Sequence, residues 1–326
     1  MCPMLLSSTI PNTAAAVSLA LALVLIAAAA FAGGSSVAFV SLGHRPMQVL
    51  VSLTGGVLLG VGMLHLLPHA WIQLGRNLDV TMLWVLAGFF LMFILERAFH
   101  GHAHHTSAGG CEHEHEHEHE YGHGHGHGVH DHGPHDGPNH GASRGDAGRS
   151  PWAWCGAFAG LALHSLADGA ALAASVRADA AHGIGLFAGF ATFLAIVLHK
   201  PLDAGIIATL MINSGASPRM RLFVNALYAA VVPLGAGLFL ASLSLFGGRQ
   251  DAVLGVAMAM AAGAFVCIAA ADLLPEVQFH SHDRVLLTTA LAMGLALAWG
   301  ITLLERSSHA HAAHSNDAVP PADHDG

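Results

Sequence analysis

Two short motifs in this sequence, HSLADG and HKPLD, each place a histidine and an aspartate four residues apart. The first contains His164 and Asp168, the second contains His199 and Asp203, and each lies in an apolar stretch long enough to cross a membrane. On an α-helix, residues four apart lie on the same face, one turn above one another. Two such helices set face to face would present two imidazoles and two carboxylates, which predicts a site for a divalent transition metal at bilayer depth.

Ionisable side chains inside apolar spans need compensation, because each costs about 2.5–3.5 kcal/mol at the bilayer centre on insertion scales. Asp168, Lys200 and Asp203 all lie in such positions. One alternative is a structural polar cluster, in which Lys200 pairs with one aspartate and the histidines bond to backbone carbonyls. Because one lysine neutralises one carboxylate, we favour a divalent cation as the partner of the other. Imidazole with carboxylate suits zinc or ferrous iron rather than magnesium or copper(I).

The composition is that of a membrane protein. Of the 326 residues, 54% are hydrophobic and 10% are charged, whereas soluble domains carry about 25% charged residues. The twelve Lys and Arg residues are scattered and form no basic stretch, so we expect no nucleic-acid partner. The four cysteines lack CxxC spacing, which argues against a disulfide framework and against a cysteine zinc site.

Eight apolar stretches reach the roughly 20 residues that a helical crossing needs. The sequence therefore predicts an all-α integral membrane protein with eight transmembrane helices. No Lys or Arg precedes the first stretch, and it is longer than the core of a signal peptide, which favours a membrane helix. The predicted spans are residues 13–40, 47–73, 80–99, 151–176, 185–212, 221–245, 252–276 and 284–304.

Residues 100–150 differ from the rest of the chain. They hold fifteen of the 27 histidines, in Glu-His and Gly-His repeats, and almost no apolar side chains, which predicts disorder. The chain thus divides into helices 1–3 (1–99), a disordered His-rich cytosolic loop (100–150), helices 4–8 with the metal site (151–306) and a disordered His-rich tail (307–326). We expect the loop to bind zinc or similar ions weakly; a solvated spacer is the alternative.

The arginines decide the predicted orientation, because positively charged loops tend to remain in the cytoplasm. With both termini outside, the cytoplasmic loops would hold more arginines than the outer loops. We therefore predict a multi-pass protein of the cell membrane (the inner membrane in a Gram-negative cell) with its N- and C-termini outside.

The order of several motifs resembles that of the ZIP (Zrt/Irt-like) family of divalent metal transporters. LHLLPHA lies in the second span, a histidine-rich loop follows the third, and HSLADG, HKPLD and DLLPE lie in the fourth, fifth and seventh spans. Each motif alone is weak, but their order and spacing together are specific. The resemblance covers nearly all of the predicted helical part of the chain and implies a ZIP-like bundle of eight helices.

The resemblance also implies which side chains line the transport site. These are His164, Ser165, Asp168, His199, Lys200 and Asp203. Family members often have a carboxylate or amide at the position of Lys200, where it helps to hold a second metal. An ammonium group has no lone pair to offer a metal, so we expect one central ion, with Lys200 replacing the second electrostatically. Asn225 on the sixth span is a further candidate, ahead of Tyr228; simple packing is the alternative for both.

Further polar residues lie on the expected path of the ion. His65 and His69 share a helix face and are candidates for the outer mouth, where the family commonly has an acidic residue in place of His69. Histidines satisfied within the protein are the alternative. Asp272 and Glu276 could receive the departing ion at the cytoplasmic end, or could serve as capping or salt-bridge residues at the interface.

We expect a transporter, not an enzyme, that takes up a divalent transition metal into the cytoplasm. Zinc is the first candidate, followed by Fe²⁺, Mn²⁺ and Cd²⁺, and no catalytic cofactor is expected. The sequence has no GxxxxGK[ST] phosphate loop, which argues against ATP as the driver. The resemblance implies an elevator-type alternating-access motion, in which the helices carrying the site slide against the others. The expected partners are metal ions and the lipid bilayer, and a homodimer stays open.

Two other functions stay open. Cation-diffusion-facilitator exporters also carry two HxxxD pairs and a histidine-rich loop, but they normally have six spans and a sizeable cytosolic domain after the last, whereas only about twenty residues follow the last span here. An intramembrane zinc hydrolase could use His164, His199 and an aspartate to hold a metal-bound water. We find no separate nucleophile or oxyanion motif for it.

Overall fold

The computed structural model describes residues 13–37, 43–104, 153–181, 183–184, 187–279 and 284–316. All regular structure in these residues is helical, as the sequence predicts. The elements are α1 (Thr13–Ser36), α2 (His44–Gly60), a π-helix (Val61–Leu66), α3 (Leu67–Gln73), α4 (Leu78–His104), α5 (Ala153–Ala181), α6 (Phe190–Asn213), α7 (Pro218–Ala229), α8 (Val231–Leu243), a 3₁₀-helix (Ser244–Arg249), α9 (Gln250–Phe279) and α10 (Arg284–Asn316).

Within the described residues, seven helical stretches are long and apolar enough to cross a membrane. They are Thr13–Ser36, Arg45–Gln73, Leu78–Ala98, Trp154–Ala181, Phe190–Asn213, Pro218–Leu273 and Arg284–Leu304. The sixth has 56 residues and contains α7, α8 and most of α9. It is interrupted at Gly247, where the backbone is not helical (φ 48°, ψ −123°). The predicted number of eight crossings therefore depends on how this stretch is divided.

Several helix ends differ from the predicted spans. The sequence predicts that the fourth span ends at residue 176, but α5 continues to Ala181, and the Arg177 guanidinium donates a hydrogen bond to Gln250 Oε1 (2.6 Å). The sixth predicted span is divided at Ala230 into α7 and α8. Helices α4 and α10 extend to His104 and Asn316, beyond the predicted spans. The remainder of the two His-rich segments lies outside the described residues, so their disorder stays a prediction.

The helices pack into two groups. In the first, α1 lies against α6 and α7, and α5 lies against α6 and α8. We call this the site group (α1 and α5–α8), because it contains both HxxxD motifs. In the second, the frame group (α2–α4, α9 and α10), α9 packs on α2, α3 and α4, and α10 packs on α2. The groups meet mainly where α5 contacts α4 and α9, and where α6 contacts α2 and the π-helix.

Two glycines allow α5 and α8 to approach closely within the site group. A Cβ atom on Gly169 would collide with the carbonyl oxygen of Val232, and a Cβ atom on Gly235 would collide with that of Leu166. Small residues at such positions let membrane helices pack backbone to backbone. Gly169 is the last residue of HSLADG, so this motif carries its own packing position directly after Asp168.

The π-helix in the second span has a local cause. Pro68 follows it, and a proline lacks the N–H group that would bond to the carbonyl four residues earlier, while its ring crowds that carbonyl. A widened turn relieves both problems. His65 lies in this widened turn and is buried, with 1% of its surface exposed. The sequence predicts a regular helix here, and the widened turn is a finding of the structure.

The glycine contact leads to a stability prediction. Gly169→Ala should lower the melting temperature of the purified protein, because the added methyl group overpacks the α5–α8 contact at a cost of about 1–3 kcal/mol. Gly156→Ala on the same helix is the control, because no heavy atom of the other described elements lies within 4 Å of its Cβ position. Heating in detergent followed by size-exclusion chromatography measures both, and equal melting temperatures would contradict the close packing.

Candidate metal centre

The side chains of the two HxxxD motifs meet between α5 and α6. His164 and Asp168 project from α5, and His199 and Asp203 project from α6, each pair separated by one helical turn. The side chains of His164, Asp168 and His199 are 2–4% exposed, whereas that of Asp203 is 16% exposed. The centre is therefore almost closed, and its more open side is the one at Asp203.

The spacing of three ligand atoms matches a zinc site. His164 Nε2 lies 3.2 Å from Asp168 Oδ2, His199 Nε2 lies 3.3 Å from the same oxygen, and the two nitrogens are 3.4 Å apart. Zinc binds nitrogen and oxygen at about 2.0–2.1 Å, which puts neighbouring ligands of a tetrahedron about 3.3–3.4 Å apart. Asp203 Oδ2 lies 4.0 Å from both nitrogens, so a small movement would add a fourth ligand.

The orientation of His199 favours metal binding. Its Nδ1 lies 2.8 Å from the carbonyl oxygen of Ala195, which can only accept a hydrogen bond. Nδ1 therefore carries a proton, and in the neutral ring Nε2 presents a lone pair toward the centre. That lone pair faces the carboxylate oxygen of Asp168 at 3.3 Å. Two acceptors at this distance repel each other unless a proton or a metal ion lies between them.

Lys200 binds both aspartates of the centre. Its Nζ lies 2.6 Å from Asp168 Oδ2 and 3.0 Å from Asp203 Oδ2, and its side chain is fully buried. The lysine–aspartate pairing of the structural alternative is thus present. One ammonium group nevertheless balances only one of the two carboxylates, so with neutral imidazoles the centre retains a net charge of −1.

The sixth predicted span contributes Tyr228 rather than Asn225 to the centre. Tyr228 Oη donates a hydrogen bond to Asp203 Oδ2 (3.1 Å) and lies 3.1 Å from Ser165 Oγ, which donates to the Leu161 carbonyl (2.6 Å). The amide of Asn225 instead donates to the backbone and side chain of α1, at Phe31 O and Ser35 Oγ. Spacing along α7 gave no signal for this difference, because it depends on how α1 packs.

The structure brings His65 and His69 together with a residue that the sequence analysis did not select. Asp179, near the end of α5, places Oδ1 3.4 Å from His69 Nδ1. The two imidazole rings are 4.7 Å apart, and each of the three residues offers a ligand atom within 4.8 Å of the others. We call these three residues the outer cluster, after the outer mouth for which the sequence makes His65 and His69 candidates. Asp179 gave no signal in the sequence, because it lies far along the chain from both histidines.

Two further carboxylates interact electrostatically with the centre. Asp272 on α9 is partly buried and lies within electrostatic range of Asp203 and His199. Glu96 on α4, which no sequence motif indicated, lies within electrostatic range of Asp203 and Asp272. The backbone of Glu276 belongs to α9, but its side chain is outside the described part of the chain. The role of Asp272 and Glu276 as exit residues stays a prediction.

Comparison with known families decides which family the chain represents. A model of the ZIP zinc transporter family matches residues 16–303, which is most of the chain. The chain belongs to the ZIP zinc transporter family. This confirms the resemblance seen in the motif order, and it decides against the cation-diffusion-facilitator family. With seven membrane-capable stretches in the described residues, this ZIP protein is a multi-pass membrane protein.

Individual ZIP relatives share modest identity with this chain. Zinc transporter ZIP1 of Mus musculus is 27% identical over 276 residues, which cover 81% of this chain and 80% of the relative. Zinc transporter ZIP1 of Homo sapiens is 27% identical over 275 residues, with 80% of each protein covered. Zinc transporter ZIP9 of Xenopus tropicalis is 33% identical over 148 residues, 44% of this chain and 47% of the relative.

The contacts of Tyr228 in this ZIP protein lead to a testable effect. Tyr228→Phe removes the hydroxyl that holds Asp203 while keeping the ring, and a hydrogen bond to a charged group contributes about 1.5–3 kcal/mol. We expect the zinc concentration for half-maximal uptake to rise about tenfold. Thr209→Val on α6 is the control, because its hydroxyl is exposed and donates to the carbonyl of Gly205 in its own helix. If the zinc concentration for half-maximal uptake into proteoliposomes is unchanged in Tyr228→Phe, the hydrogen bond from Tyr228 to Asp203 does not contribute to zinc binding.

Proposed function

We propose that this ZIP protein moves a divalent transition metal, zinc in the first place, into the cytoplasm through the site between α5 and α6. The observation that carries the proposal is the buried triad of His164 Nε2, His199 Nε2 and Asp168 Oδ2, whose mutual distances of 3.2–3.4 Å equal the ligand spacing of tetrahedral zinc. The names of the zinc transporter relatives support zinc as the ion. Fe²⁺, Mn²⁺ and Cd²⁺ are the competing ions to test, since imidazole and carboxylate can also bind them.

The centre has the properties that a transient metal site needs. Structural zinc sites are closed by four protein ligands, commonly thiolates, whereas a site that exchanges its ligands keeps an open position. Here three ligands are in place, and the fourth, Asp203 Oδ2, is displaced to 4.0 Å and partly exposed. Asp203 can therefore join the ion or release it with little movement, and water can complete the shell.

We assign eight crossings to the chain, with both termini outside. At 1.5 Å per residue the 56 residues of Pro218–Leu273 would extend about 84 Å, against a hydrocarbon core of about 30 Å. The break at Gly247 supports a reversal between α8 and α9, which makes two crossings of this stretch. In this orientation the outer cluster faces the exterior, and Asp203 and Asp272 lie toward the cytoplasm.

An elevator-type motion fits the division into two helix groups. All four candidate ligands, together with Lys200 and Tyr228, belong to the site group, so this group could carry the ion as one body. A cavity of about 380 Å³ separates parts of the two groups; its lining is mostly apolar, with Met92, Ala167, Phe239 and Met260, and also includes His164 of the centre. Apolar side chains make no directional hydrogen bonds, so those that line the cavity do not fix the two groups in one relative position.

The arrangement of the two ends supports a state that is open toward the cytoplasm. On the outer side, His65 is 1% exposed and the Asp179 side chain is 0% exposed, so the groups are in close contact there. On the inner side, Asp203 is the most exposed member of the centre. A metal ion at the centre would therefore leave past Asp203 and toward the carboxylates of Glu96 and Asp272.

Removing a central ligand should nearly abolish transport. We expect His164→Ala and Asp168→Ala each to lower zinc uptake into proteoliposomes at least tenfold, because each deletes one of the three close ligands. Leu163→Ala is the matched control, since Leu163 precedes His164 on α5 and 47% of its surface is exposed. Melting temperatures separate lost transport from lost folding. Normal uptake by both folded variants would refute the central site.

The charge of Lys200 should set the number of central ions. Lys200→Glu replaces an ammonium that contacts both aspartates with a third carboxylate, so the centre should hold two zinc ions in place of one. Lys200→Met is the control, because it removes the charge without adding a ligand and should retain one ion. Anomalous zinc density at the centre reads this out locally, apart from ions bound by the histidine-rich segment. A single peak in Lys200→Glu would refute the role assigned to the lysine.

A further inference from the structure

We propose that His65, His69 and Asp179 form a second metal site, and that an ion bound there clamps the outer ends of the two helix groups together. The site would take a divalent transition metal, since two imidazoles and one carboxylate are the donor set that zinc prefers. Its regulatory consequence rests on the proposed transport function, whereas its metal binding does not. The clamp would act when the external metal concentration is high.

The carboxylate of the outer cluster is held ready for a metal. Asp179 Oδ2 accepts a hydrogen bond from the backbone N–H of Gly189 (2.7 Å), where the chain enters α6. Gly189 has a positive φ of 74°, which favours glycine and fixes the direction of its N–H group. Oδ1 is thereby directed to His69 Nδ1 at 3.4 Å, the ligand spacing of tetrahedral zinc.

The first histidine of the outer cluster is also held in place. His65 Nε2 lies 3.1 Å from Ser175 Oγ, and Ser175 Oγ accepts a hydrogen bond from Thr192 Oγ1 (3.0 Å). When His65 Nε2–H donates to Ser175 Oγ, Nδ1 carries the lone pair that a metal would take. The hydrogen bond to the serine then orients the ring, as in other metal-binding histidines. The widened turn of the π-helix sets the position of His65 relative to His69.

The location of the cluster distinguishes it from the central site. His65 and His69 belong to the frame group, while Asp179 belongs to the site group, so an ion held by all three joins the groups. The central ligands all belong to one group and can move together. Asp179 is eleven residues from Asp168 on α5, about 16 Å along the helix, so the outer cluster is a separate site.

A clamp follows from the linkage between binding and conformation. The three ligands are close only when the outer ends of the groups are in contact, so a metal ion that binds them stabilises that arrangement. Transport needs the outer ends to separate so that the next ion can reach the centre. His69, whose side chain is 20% exposed, gives external metal a route to the cluster. High external metal should therefore slow uptake.

Hydrogen exchange tests metal binding independently of transport. In the full chain carrying His164→Ala and Asp168→Ala, which disables the central site, zinc should slow exchange in residues 62–73 and 172–181. Adding Asp179→Asn should abolish this protection. An asparagine oxygen can still accept the Gly189 bond, so the local fold is retained. Protection that is absent, or that persists with Asp179→Asn, would overturn the site. Metal bound by the histidine-rich segment affects other peptides.

Uptake at increasing external zinc tests the clamp. For the unmodified chain in proteoliposomes, the rate should pass a maximum and then fall; in Asp179→Asn and His69→Gln the fall should move to at least tenfold higher zinc. Asp79→Asn, an exposed carboxylate at the start of α4, should behave like the unmodified chain. If the two variants take up zinc more slowly at all zinc concentrations, with the fall at an unchanged concentration, the cluster is an entrance relay and the clamp is overturned. Protection from hydrogen exchange without any fall in the uptake rate of the unmodified chain would also overturn the clamp. A chain that moves no zinc would refute the transport function, while the exchange result would still decide the site.

Discussion

A single oxygen atom, Oδ2 of Asp168, is the point on which the centre depends. It lies 2.6 Å from Lys200 Nζ and 3.2–3.3 Å from the nitrogens of His164 and His199. With Asp203 included and both imidazoles neutral, the centre carries −1 before a divalent ion binds and +1 afterwards. Neither state carries a large uncompensated charge inside the membrane-spanning helices, where such charge is costly. A centre balanced in this way can accept an ion and also release it.

The charge balance requires helices that approach closely. The helices that carry the ligands pack closely on their neighbours, and Gly169 and Gly235 allow this where α5 meets α8. Gly33 similarly accommodates the backbone of Pro201, directly after Lys200 on α6. These contacts hold α5 against α8 and α6 against α1, so both helices that carry the ligands are supported by close backbone packing.

The sequence could predict what depends on spacing along one helix. His164 with Asp168, and His199 with Asp203, share a face because residues four apart always do, and apolar length predicts the helical membrane body. Contacts that depend on packing between distant segments gave no such signal. Asp179 joins His65 and His69 from another helix group, and Tyr228 rather than Asn225 reaches the centre because the amide is engaged by α1. The widened turn before Pro68 could not be predicted from the spacing of apolar residues either, because it arises from the crowding of the proline ring against a backbone carbonyl.

The two histidine–aspartate clusters have similar donors but differ in their relation to the boundary between helix groups. The central set lies on α5 and α6 within one group, so in the proposed elevator motion its ligand distances would be preserved and a bound ion would move with the group. The outer set takes His65 and His69 from one group and Asp179 from the other, so its ligand distances change with every relative movement. Under the proposed mechanism, the binding energy of an ion at the central set would be independent of the motion, whereas at the outer set it would oppose the motion. In this proposal the same donor chemistry carries an ion at one position and restrains the carrier at the other, and the boundary between the helix groups decides which of the two occurs.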